Sequence, residues 1–519
     1  MGGEALHHSV HLSVGDVLTT VANRYPKRVA IVDVDGRQTS YRELLDRGGR
    51  LANALLSAGL EPGDRVASWM EDSGAYVEVY VACALAGLVV CPLNARYTVH
   101  EARQIVEDSA PRAFVWSSTK DGDIESLVSD GLLPSDVLRI RHGGSGSTAL
   151  DAMDWGALVA SGPVRVDEFS SPDQLYVIGY TSGTTGKPKG ALLTQRSVLA
   201  VMQQNADAYR LVAHSVIALT GSMSFVSVVP SHVLSHLAVA GTVVFLGRWD
   251  VPRLLQVVEE HRATFTYLPS PVLGEFAVAA ASNPQKWLSL QSVLHSASKS
   301  SPDALKALVD VVGSRLVEGW GMTENSGGLI TATTASDISA SRLEPELLST
   351  VGRPIPGYQV RAVYEELQIK GPGVVKGYWH NPDAAASAFS DGWFRTGDLG
   401  SVDDRGYVTL LERRTDLIVS GGMNVYPAEV EGVIAALPEI AECAVVGIPH
   451  PRWGQTVVAV VVPRSGSVID ADAVIARCRE KLAGFKKPTK VFVVDALPRT
   501  ISMKVSRTAV RDSLSGVGK

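Results

Sequence analysis

Residues 180–190 combine side chains that suit a loop around a polyphosphate. The segment reads Tyr-Thr-Ser-Gly-Thr-Thr-Gly-Lys-Pro-Lys-Gly. Its glycines permit backbone conformations in which amide N–H groups turn toward phosphate oxygens, and its hydroxyl groups and lysines add donors and positive charge. We therefore expect this loop to bind the phosphates of ATP. The residues expected to do so are Thr181, Ser182, Gly183, Thr184, Thr185, Gly186 and Lys189.

The spacing excludes the commonest phosphate-binding loop. A Walker motif needs Ser or Thr directly after its lysine, whereas Pro188 follows Lys187 here. A flexible linker is the other interpretation, because Gly, Ser and Thr are common in loops. The two lysines, Lys187 and Lys189, favour phosphate binding over a linker.

Further motifs follow this loop in a fixed order. They are residues 319–324 (Gly-Trp-Gly-Met-Thr-Glu), 352–357, 392–398, 420–427, and 498–500 shortly before Lys504. Together with residues 180–190, this ordered set resembles the adenylate-forming superfamily, which includes acyl-CoA and aryl-CoA ligases, stand-alone adenylation domains and beetle luciferases. Within that superfamily, the chain looks most like a fatty-acid or other acyl-CoA ligase. The motifs span nearly the whole chain, so the resemblance does not depend on any one of them.

Length and composition indicate a large globular enzyme. A chain of 519 residues exceeds what one hydrophobic core usually supports, so two or more domains are expected. With 45% hydrophobic and 20% charged residues, it belongs with folded rather than disordered chains. No apolar run is long enough to span a bilayer, and residues 1–10 lack the apolar core of a signal peptide. We expect a cytoplasmic location.

Alternating strand and helix patterns predict an α/β fold with parallel sheets. A capping box at residues 40–43 begins a helix that ends before Gly59. Strands are predicted over 65–70, 88–93, 242–246 and 265–267, helices over 76–86, 197–209 and 251–261, and an exposed loop over 139–148. The resemblance adds that the parallel sheets belong to a large N-terminal domain of several subdomains, followed by a small mobile α+β domain.

A charged cluster at residues 412–416 precedes a final segment with its own strand and helix pattern. By itself, this cluster indicates only a charged linker. The resemblance implies an N-terminal domain over residues 1–412 that binds ATP and the acid, a hinge over 413–416, and a C-terminal lid domain over 417–519. Thr415 matches the family's hinge position.

The resemblance also implies a two-step reaction with ATP, Mg²⁺ and CoA. A carboxylate attacks the α-phosphate to give an acyl adenylate and pyrophosphate, and the thiol of CoA then displaces AMP. Lys504 would bring an ammonium to the developing charge, Thr323 would donate to the α-phosphate, and Glu324 would hold Mg²⁺. Gly421 and Gly422 would line the path of CoA, since neither carries a side chain.

The remaining site residues are expected around the nucleotide and the acyl group. For adenine and ribose they are Ser296, Ala297, Ser298, Gly319, Trp320, Asp398 and Arg413. For the acyl pocket they are Phe225, Val226 and Gly321.

The segment expected to contact the acid is Ser224-Phe225-Val226-Ser227. Many relatives carry Phe-His there. His232 and His236 come later, at helical spacing, and without a third ligand they do not predict a metal site. The segment has no Asp for a substrate ammonium, and no Lys or Arg lies between Thr220 and Leu246. We therefore expect a monocarboxylic acid with a medium aliphatic chain or an alicyclic group, rather than an α-amino acid.

Three other departures keep alternatives open. Lys299 is unusual in the adenine loop, Met503 replaces the glycine usual before the catalytic lysine, and the hairpin over 361–367 is short or lacks residues. The alternatives are an acyl-AMP ligase that loads a carrier protein and a nucleotide-binding homologue with impaired catalysis. A net charge of -6 gives no reason to expect nucleic acid as a partner, and a homodimer is compatible with all of these interpretations.

Overall fold

The computed structural model describes residues 12–144, 150–160, 162–164, 171–181, 188–296, 300, 302–413, 416–420, 423–450, 453–482, 484–500 and 504–515. Contacts divide the chain into two compact units. The first comprises Met1–Gln359 and Ile369–Phe394, and the second comprises Val360–Gln368 and Arg395–Lys519. The predicted domains at 1–412 and 417–519 assume a mobile hinge, which compactness alone does not test, so that boundary stays a prediction.

The first unit contains thirteen of the described helices. They are α1 (Val14–Arg24), α2 (Tyr41–Ser57), α3 (Gly74–Ala86), α4 (Val99–Ser109), α5 (Asp121–Ser129), α6 (Trp155–Ala160), α7 (Gln195–Ala208), α8 (Ser235–Ala238), α9 (Val251–His261), α10 (Leu273–Ser282), α11 (Pro302–Val312), α12 (Ala335–Ala340) and α13 (Pro382–Ala388).

Two large sheets organise this unit. Its strands are β1 (Val29–Val32), β2 (Gln38–Ser40), β3 (Arg65–Trp69), β4 (Val89–Pro92), β5 (Ala113–Ser117), β6 (Leu138–His142), β7 (Met153–Asp154), β8 (Leu175–Thr181), β9 (Lys189–Thr194), β10 (Val216–Leu219), β11 (Thr242–Phe245), β12 (Phe265–Tyr267), β13 (Ser292–His295), β14 (Leu316–Gly321), β15 (Leu329–Ala332) and β16 (Arg353–Pro354). The seven-stranded sheet has the order β7-β6-β5-β3-β4-β8-β9, and the nine-stranded sheet has the order β16-β15-β14-β13-β12-β10-β11-β1-β2.

Both sheets are parallel at their centres; the seven-stranded sheet is antiparallel at one end, and the nine-stranded sheet is antiparallel at both ends. In the first sheet only β9 runs against its neighbour, and in the second the antiparallel pairs involve β2, β15 and β16. Parallel neighbours place the carboxyl ends of β12, β13 and β14 at one edge, where ligands commonly bind in open α/β sheets. The predicted α/β class is confirmed.

Most of the predicted elements form as expected. Ser40 caps α2 with the reciprocal hydrogen bonds of a capping box, and α9 and β12 have the predicted bounds. The exposed loop predicted over 139–148 is wrong in its first part, because residues 139–142 belong to β6, which pairs in parallel with β5. Ile140 is buried there, and Arg139 and Arg141 hydrogen-bond to Leu150 and Asp121, so these arginines do not mark a solvated loop.

Two helices join the large sheets. Helix α2 packs on α3, while α3 contacts β3 and β4 and α2 contacts β1 and β2. The contact is close, because a Cβ on Gly48 of α2 would lie 2.5 Å from Val81 Cγ1 of α3. The charged groups of Arg47 and Glu78 meet at 2.6 Å beside it, which pairs a carboxylate that is almost fully buried.

The remaining strands and helices complete the chain. They are β17 (Gln359–Val363), β18 (Glu366–Lys370), β19 (Phe389–Ser390), β20 (Trp393–Val402), β21 (Val408–Arg413), β22 (Ile418–Ser420), β23 (Met423–Val425), β24 (Ile440–His450), β25 (Gly454–Pro463) and β26 (Lys490–Val493), with α14 (Pro427–Ala435), α15 (Ala471–Lys481) and α16 (Arg507–Ser515). The C-terminal sheet has the order β23-β22-β25-β24, with β26 beside β25, and it packs on α14, α15 and α16.

The hairpin predicted to be short over 361–367 has a two-residue turn. Strands β17 and β18 are joined by Tyr364 and Glu365 alone, which both have positive φ (48° and 63°). Two left-handed residues form the turn that suits a two-residue hairpin. The hairpin of this chain is therefore short.

None of the described helices combines the length and the apolarity that crossing a membrane would need.

The contact between α2 and α3 gives a stability prediction. Gly48→Ala should lower the free energy of unfolding by about 1 to 3 kcal/mol, because the new methyl overpacks against Val81. Gly274→Ala in α10 is the matched control, since a Cβ there meets nothing within 4 Å and the better helix former adds up to about 1 kcal/mol. Thermal unfolding of both variants checks this, and two changes of the same sign would contradict the assigned packing.

Candidate active site

The predicted phosphate loop connects two antiparallel strands. Thr181 ends β8 and Lys189 begins β9, and the two are cross-strand partners. Strand pairing therefore brings the two ends of the loop together. The predicted residues Ser182, Gly183, Thr184, Thr185 and Gly186 lie outside the described residues.

Gly179 in β8 is the point where three predicted functions meet. A Cβ at this glycine would lie 2.8 Å from Val226 Cγ1 and 3.0 Å from Thr323 Cγ2. The strand that leads into the phosphate loop therefore touches both a predicted acyl-pocket residue and the threonine predicted to contact the α-phosphate. Gly179 was not predicted as a site residue, because a lone glycine in a strand reveals no partner.

Thr323 and Glu324 lie on a tight turn after β14. The turn is closed by hydrogen bonds from the backbone N–H groups of Asn325 and Gly327 to the carbonyl of Met322. A Cβ on Gly321 would collide with the carbonyl oxygen of Gly328, so the predicted acyl-pocket glycine is required by the backbone itself. Thr323 and Glu324 remain partly exposed.

Other segments of the first unit hold this turn in place. The hydroxyl of Ser326 bonds to Ser197 Oγ of α7 at 2.9 Å and to the carbonyl of Gly373 at 2.8 Å. The amide of Leu329 donates to Asn205 Oδ1, also on α7, at 3.2 Å. Hydrogen bonds to α7 and to Gly373 therefore hold the turn in place.

Tyr378 contacts two of the predicted site residues. Its hydroxyl donates to Glu324 Oε1 at 3.2 Å, and the ammonium of Lys189 lies 5.8 Å from the centre of its ring. Tyr378 was missed because the function of a tyrosine is not visible from its neighbours in the sequence.

The adenine side of the site is built on the pairing of β13 with β14. His295 and Glu318 are register partners, and His295 Nδ1 lies 2.5 Å from Glu318 Oε2. His295 Nε2 lies 2.9 Å from Ser270 Oγ and 3.0 Å from Ser300 Oγ. Burial raises the pKa of Glu318, while His295 opposes that rise.

This buried pair immediately precedes the predicted adenine residues. Ser296 follows His295, and Gly319 follows Glu318, so both predicted segments begin at the same sheet edge. Trp320 is only 5% exposed, which leaves little of its indole accessible. Ala297 and Ser298, with the unusual Lys299, lie outside the described residues.

The other predicted nucleotide and catalytic residues belong to the second unit. Asp398 and Arg413 are cross-strand partners in β20 and β21. Lys504 is exposed on a loop whose ends are joined by hydrogen bonds from Thr500 N to Lys504 O and from Ser506 N to Pro498 O. Thr415, Gly421, Gly422 and Met503 lie outside the described residues.

A carboxylate from an earlier part of the chain lies beside the segment expected to contact the acid. Asp72 Oδ1 accepts from Met223 N at 2.8 Å and from Ser222 Oγ at 3.0 Å, and Ser222 also bonds to Ser224. Burial raises the pKa of Asp72 to about 6. Asp72 was missed because it lies 150 residues earlier in the chain.

His232 and His236 lie in the core among aromatic rings. Tyr209, Phe265 and Tyr267 surround them, and His236 Nδ1 donates to the carbonyl of His232 at 2.7 Å. Burial lowers the pKa of His232 to about 3 and that of His236 to about 4, so both are neutral at pH 7. Within the described part of the chain, no group of three metal-ligating side chains occurs.

Among the described residues, the carboxylate predicted to hold Mg²⁺ is that of Glu324, and it is not part of a cage of three or more ligating side chains. One carboxylate fits a Mg²⁺ ion that arrives with ATP, because such ions are commonly held by one or two carboxylates and the phosphates of the substrate. Glu324 would hold the ion, which would neutralise phosphate charge when bound.

Comparison with known proteins identifies the family. The sequence profile described as AMP-binding enzyme matches residues 18–379, and the profile of the AMP-binding enzyme C-terminal domain matches residues 429–504. The chain belongs to the AMP-binding enzyme family. The resemblance to adenylate-forming acyl-CoA ligases is confirmed, as is the expected class of AMP-forming acid–thiol ligase with ATP, Mg²⁺ and CoA.

Similar proteins cover nearly the whole chain. Feruloyl-CoA synthase of an Amycolatopsis species is 34% identical over 491 residues, which cover 92% of this chain and 94% of that protein. A Rhodococcus jostii ligase named for a methyl-dioxo-octahydroindenyl propanoyl-CoA is 32% identical, over 95% of this chain and 97% of that protein. The crystal structure of ATP-bound MatB from Rhodopseudomonas palustris is 29% identical with a TM-score of 0.87, covering 98% of this chain and all of that chain.

The junction at Gly179 gives a prediction about adenylation. Gly179→Ala should lower kcat/KM for acid-dependent pyrophosphate exchange by about 10- to 100-fold, because its methyl displaces Thr323 and Val226. Val226→Ala in the same chain removes the nearest clashing atom and should restore part of the activity. Gly122→Ala, where a Cβ meets nothing within 4 Å, is the control. No recovery in the double variant would contradict the assigned contact.

The buried histidines give a prediction about pH. Their folded pKa values lie below the unfolded value of about 6.5, so the unfolded chain binds more protons and stability falls as the pH falls below 6.5. At pH 5 the loss is up to about 2 kcal/mol per histidine. The double variant His232→Gln/His236→Gln should therefore show a smaller drop in Tm between pH 7.5 and pH 5 than the parent. The variant His100→Gln, at an exposed histidine, should show the same drop in Tm as the parent. An unchanged drop in the double variant would show that the two buried histidines do not cause the loss of stability.

Proposed function

We propose that this acyl-CoA ligase acts on monocarboxylic acids whose acyl group is a ring system or a medium-length aliphatic chain. The observation that carries the proposal is the junction at Gly179, where the phosphate-loop strand, Thr323 and Val226 are in contact. An acid carboxylate at this junction would lie next to the α-phosphate, and its apolar tail would extend along Val226.

In the first step, each charged or polar site residue would contact a different part of ATP or the acid. Lys189 and the N–H groups of its loop would bind the phosphates, and Thr323 would donate to the α-phosphate. Glu324 would hold Mg²⁺, and Asp398 with Arg413 would hold the ribose. Lys504 would stabilise the negative charge that grows as the acid attacks, and Gly421 and Gly422 would later admit the CoA thiol.

The electrostatics of the segment expected to contact the acid support a monocarboxylic acid. No Lys or Arg lies between Thr220 and Leu246, so a second carboxylate would have no partner in this segment. Asp72, hydrogen-bonded to Ser222 and Met223, would add repulsion between like charges. An unpaired carboxylate buried there would cost several kcal/mol.

The apolar side chains support a substrate larger than acetate. Phe225 is partly exposed, and Val226 is one of the residues that meet at Gly179. Two similar proteins are named for ring-bearing acyl groups, feruloyl-CoA and the octahydroindenyl propanoyl-CoA. These names describe those proteins, and they favour a ring or a medium chain here.

The acid preference is tested by ATP-dependent thioester formation with free CoA. Cyclohexanecarboxylate, benzoate, hexanoate and decanoate should exceed acetate and succinate in kcat/KM, with about fourfold per methylene from about 0.8 kcal/mol per buried CH₂. A preference for acetate or succinate would sink the proposal. Thioester formation only on a carrier protein would favour the acyl-AMP ligase alternative, and no pyrophosphate exchange with any acid would favour the impaired homologue.

Asp72→Asn is the matched variant for this panel. The asparagine oxygen can still accept from Met223 and Ser222, so the loop is preserved while the charge is removed. Activity with succinate should rise severalfold, while that with hexanoate stays within about twofold. An equal change with both acids would mean that the charge of Asp72 plays no part in the choice of acid.

The cytoplasmic location and a homodimeric state remain proposals. Light scattering on the purified chain would test the second.

A further inference from the structure

We infer that Tyr378 is a positioning residue that sets the carboxylate of Glu324 and the ammonium of Lys189 for Mg-ATP. The inference rests on the proposed roles of Glu324 and Lys189, and it adds the group that links them. It concerns nucleotide binding in the first step and is independent of which acid is used.

The contact with Glu324 acts on one oxygen of the carboxylate. The hydroxyl of Tyr378 donates to Oε1 at 3.2 Å, and this bond fixes one oxygen of the carboxylate that would hold the metal ion. Groups that hydrogen-bond to a metal-binding side chain fix its orientation, and their loss typically weakens metal binding by about 10- to 100-fold. Tyr378 is placed to do this for Glu324.

The contact with Lys189 uses the other part of the side chain. The ammonium lies 5.8 Å from the ring centre, within the range of a cation–π interaction. The ring thus attracts the flexible end of Lys189 toward the side of the site that holds Glu324. Tyr378 therefore contacts Glu324 through its hydroxyl and Lys189 through the face of its ring.

The backbone on either side of Tyr378 is hydrogen-bonded to the segments that carry Lys189 and Glu324. Tyr378 is a bridge partner of Ala191, and the amide of Trp379 donates to the carbonyl of Gly190 at 2.7 Å, so the segment runs beside the strand that begins with Lys189. The amide of Val375 donates to the carbonyl of Glu324 at 2.9 Å. The ring and its two charged neighbours therefore share one framework.

Two variants separate the functions of the side chain. Tyr378→Phe removes only the hydroxyl, and Tyr378→Leu also removes the aromatic face. Calorimetric binding of α,β-methylene-ATP, with EDTA and across a series of Mg²⁺ concentrations, measures their effects without turnover. Tyr41→Phe is the control, since this buried hydroxyl bonds to the carbonyls of Leu237 and Gly241 in another part of the unit.

Tyr378→Phe should raise the Mg²⁺ concentration for half-maximal tightening by about tenfold or more, while binding in EDTA stays within about twofold. Tyr378→Leu should in addition weaken binding in EDTA, because Lys189 loses its ring. Tyr41→Phe should change neither quantity. An unchanged Mg²⁺ requirement in Tyr378→Phe, or an equal loss with and without Mg²⁺, would overturn the inference.

Glu324→Gln distinguishes failure of this inference from failure of the proposed function. Tyr378→Phe added to Glu324→Gln should have no further effect on the Mg²⁺ requirement, because the two residues act through one contact. If Glu324→Gln alone leaves that requirement unchanged, the proposed role of Glu324 fails, and the inference fails with it. If Glu324→Gln raises the requirement and Tyr378→Phe does not, only the role of Tyr378 is wrong.

Discussion

The parallel pairing of β12, β13 and β14 is the constraint on which the nucleotide side of the site depends. It makes His295 and Glu318 neighbours, so a buried carboxylate meets an imidazole that also contacts Ser270 and Ser300. A buried carboxylate without such a partner would be strongly destabilising. The pair therefore lies directly before Ser296, which follows β13, and Gly319, which continues β14.

The turn after β14 is specified by backbone fit and by hydrogen bonds more than by apolar packing. Ser326 within the turn bonds to the carbonyl of Gly373, Val375 N donates to the carbonyl of Glu324, and Asn205 accepts from Leu329 just after the turn. Turns held in this way keep polar side chains such as Thr323 and Glu324 partly exposed without becoming loose. The same segments carry Tyr378, which is how a residue far along the chain reaches Glu324.

The sequence predicted features that depend on local chemistry and missed those that depend on long-range contact. The capping box at Ser40, the bounds of α9 and the order of the motifs are local signals, and the fold class and family followed from them. Asp72 and Gly179 carry no local signal, because their partners are far away in the chain. The short hairpin at Tyr364 could be described but not explained until its turn was seen.

The segment expected to contact the acid and the turn expected to contact the nucleotide lie in direct contact at glycines. A Cβ on Gly327 would collide with the Cα of Ser227, and Gly179 leaves equally little room beside Val226. No side chain lies between these surfaces to absorb a shift, and closely packed interiors transmit displacement. Directed evolution toward new acids should therefore find pleiotropic substitutions at residues 225–228 and freer adaptation at positions that do not touch the turn.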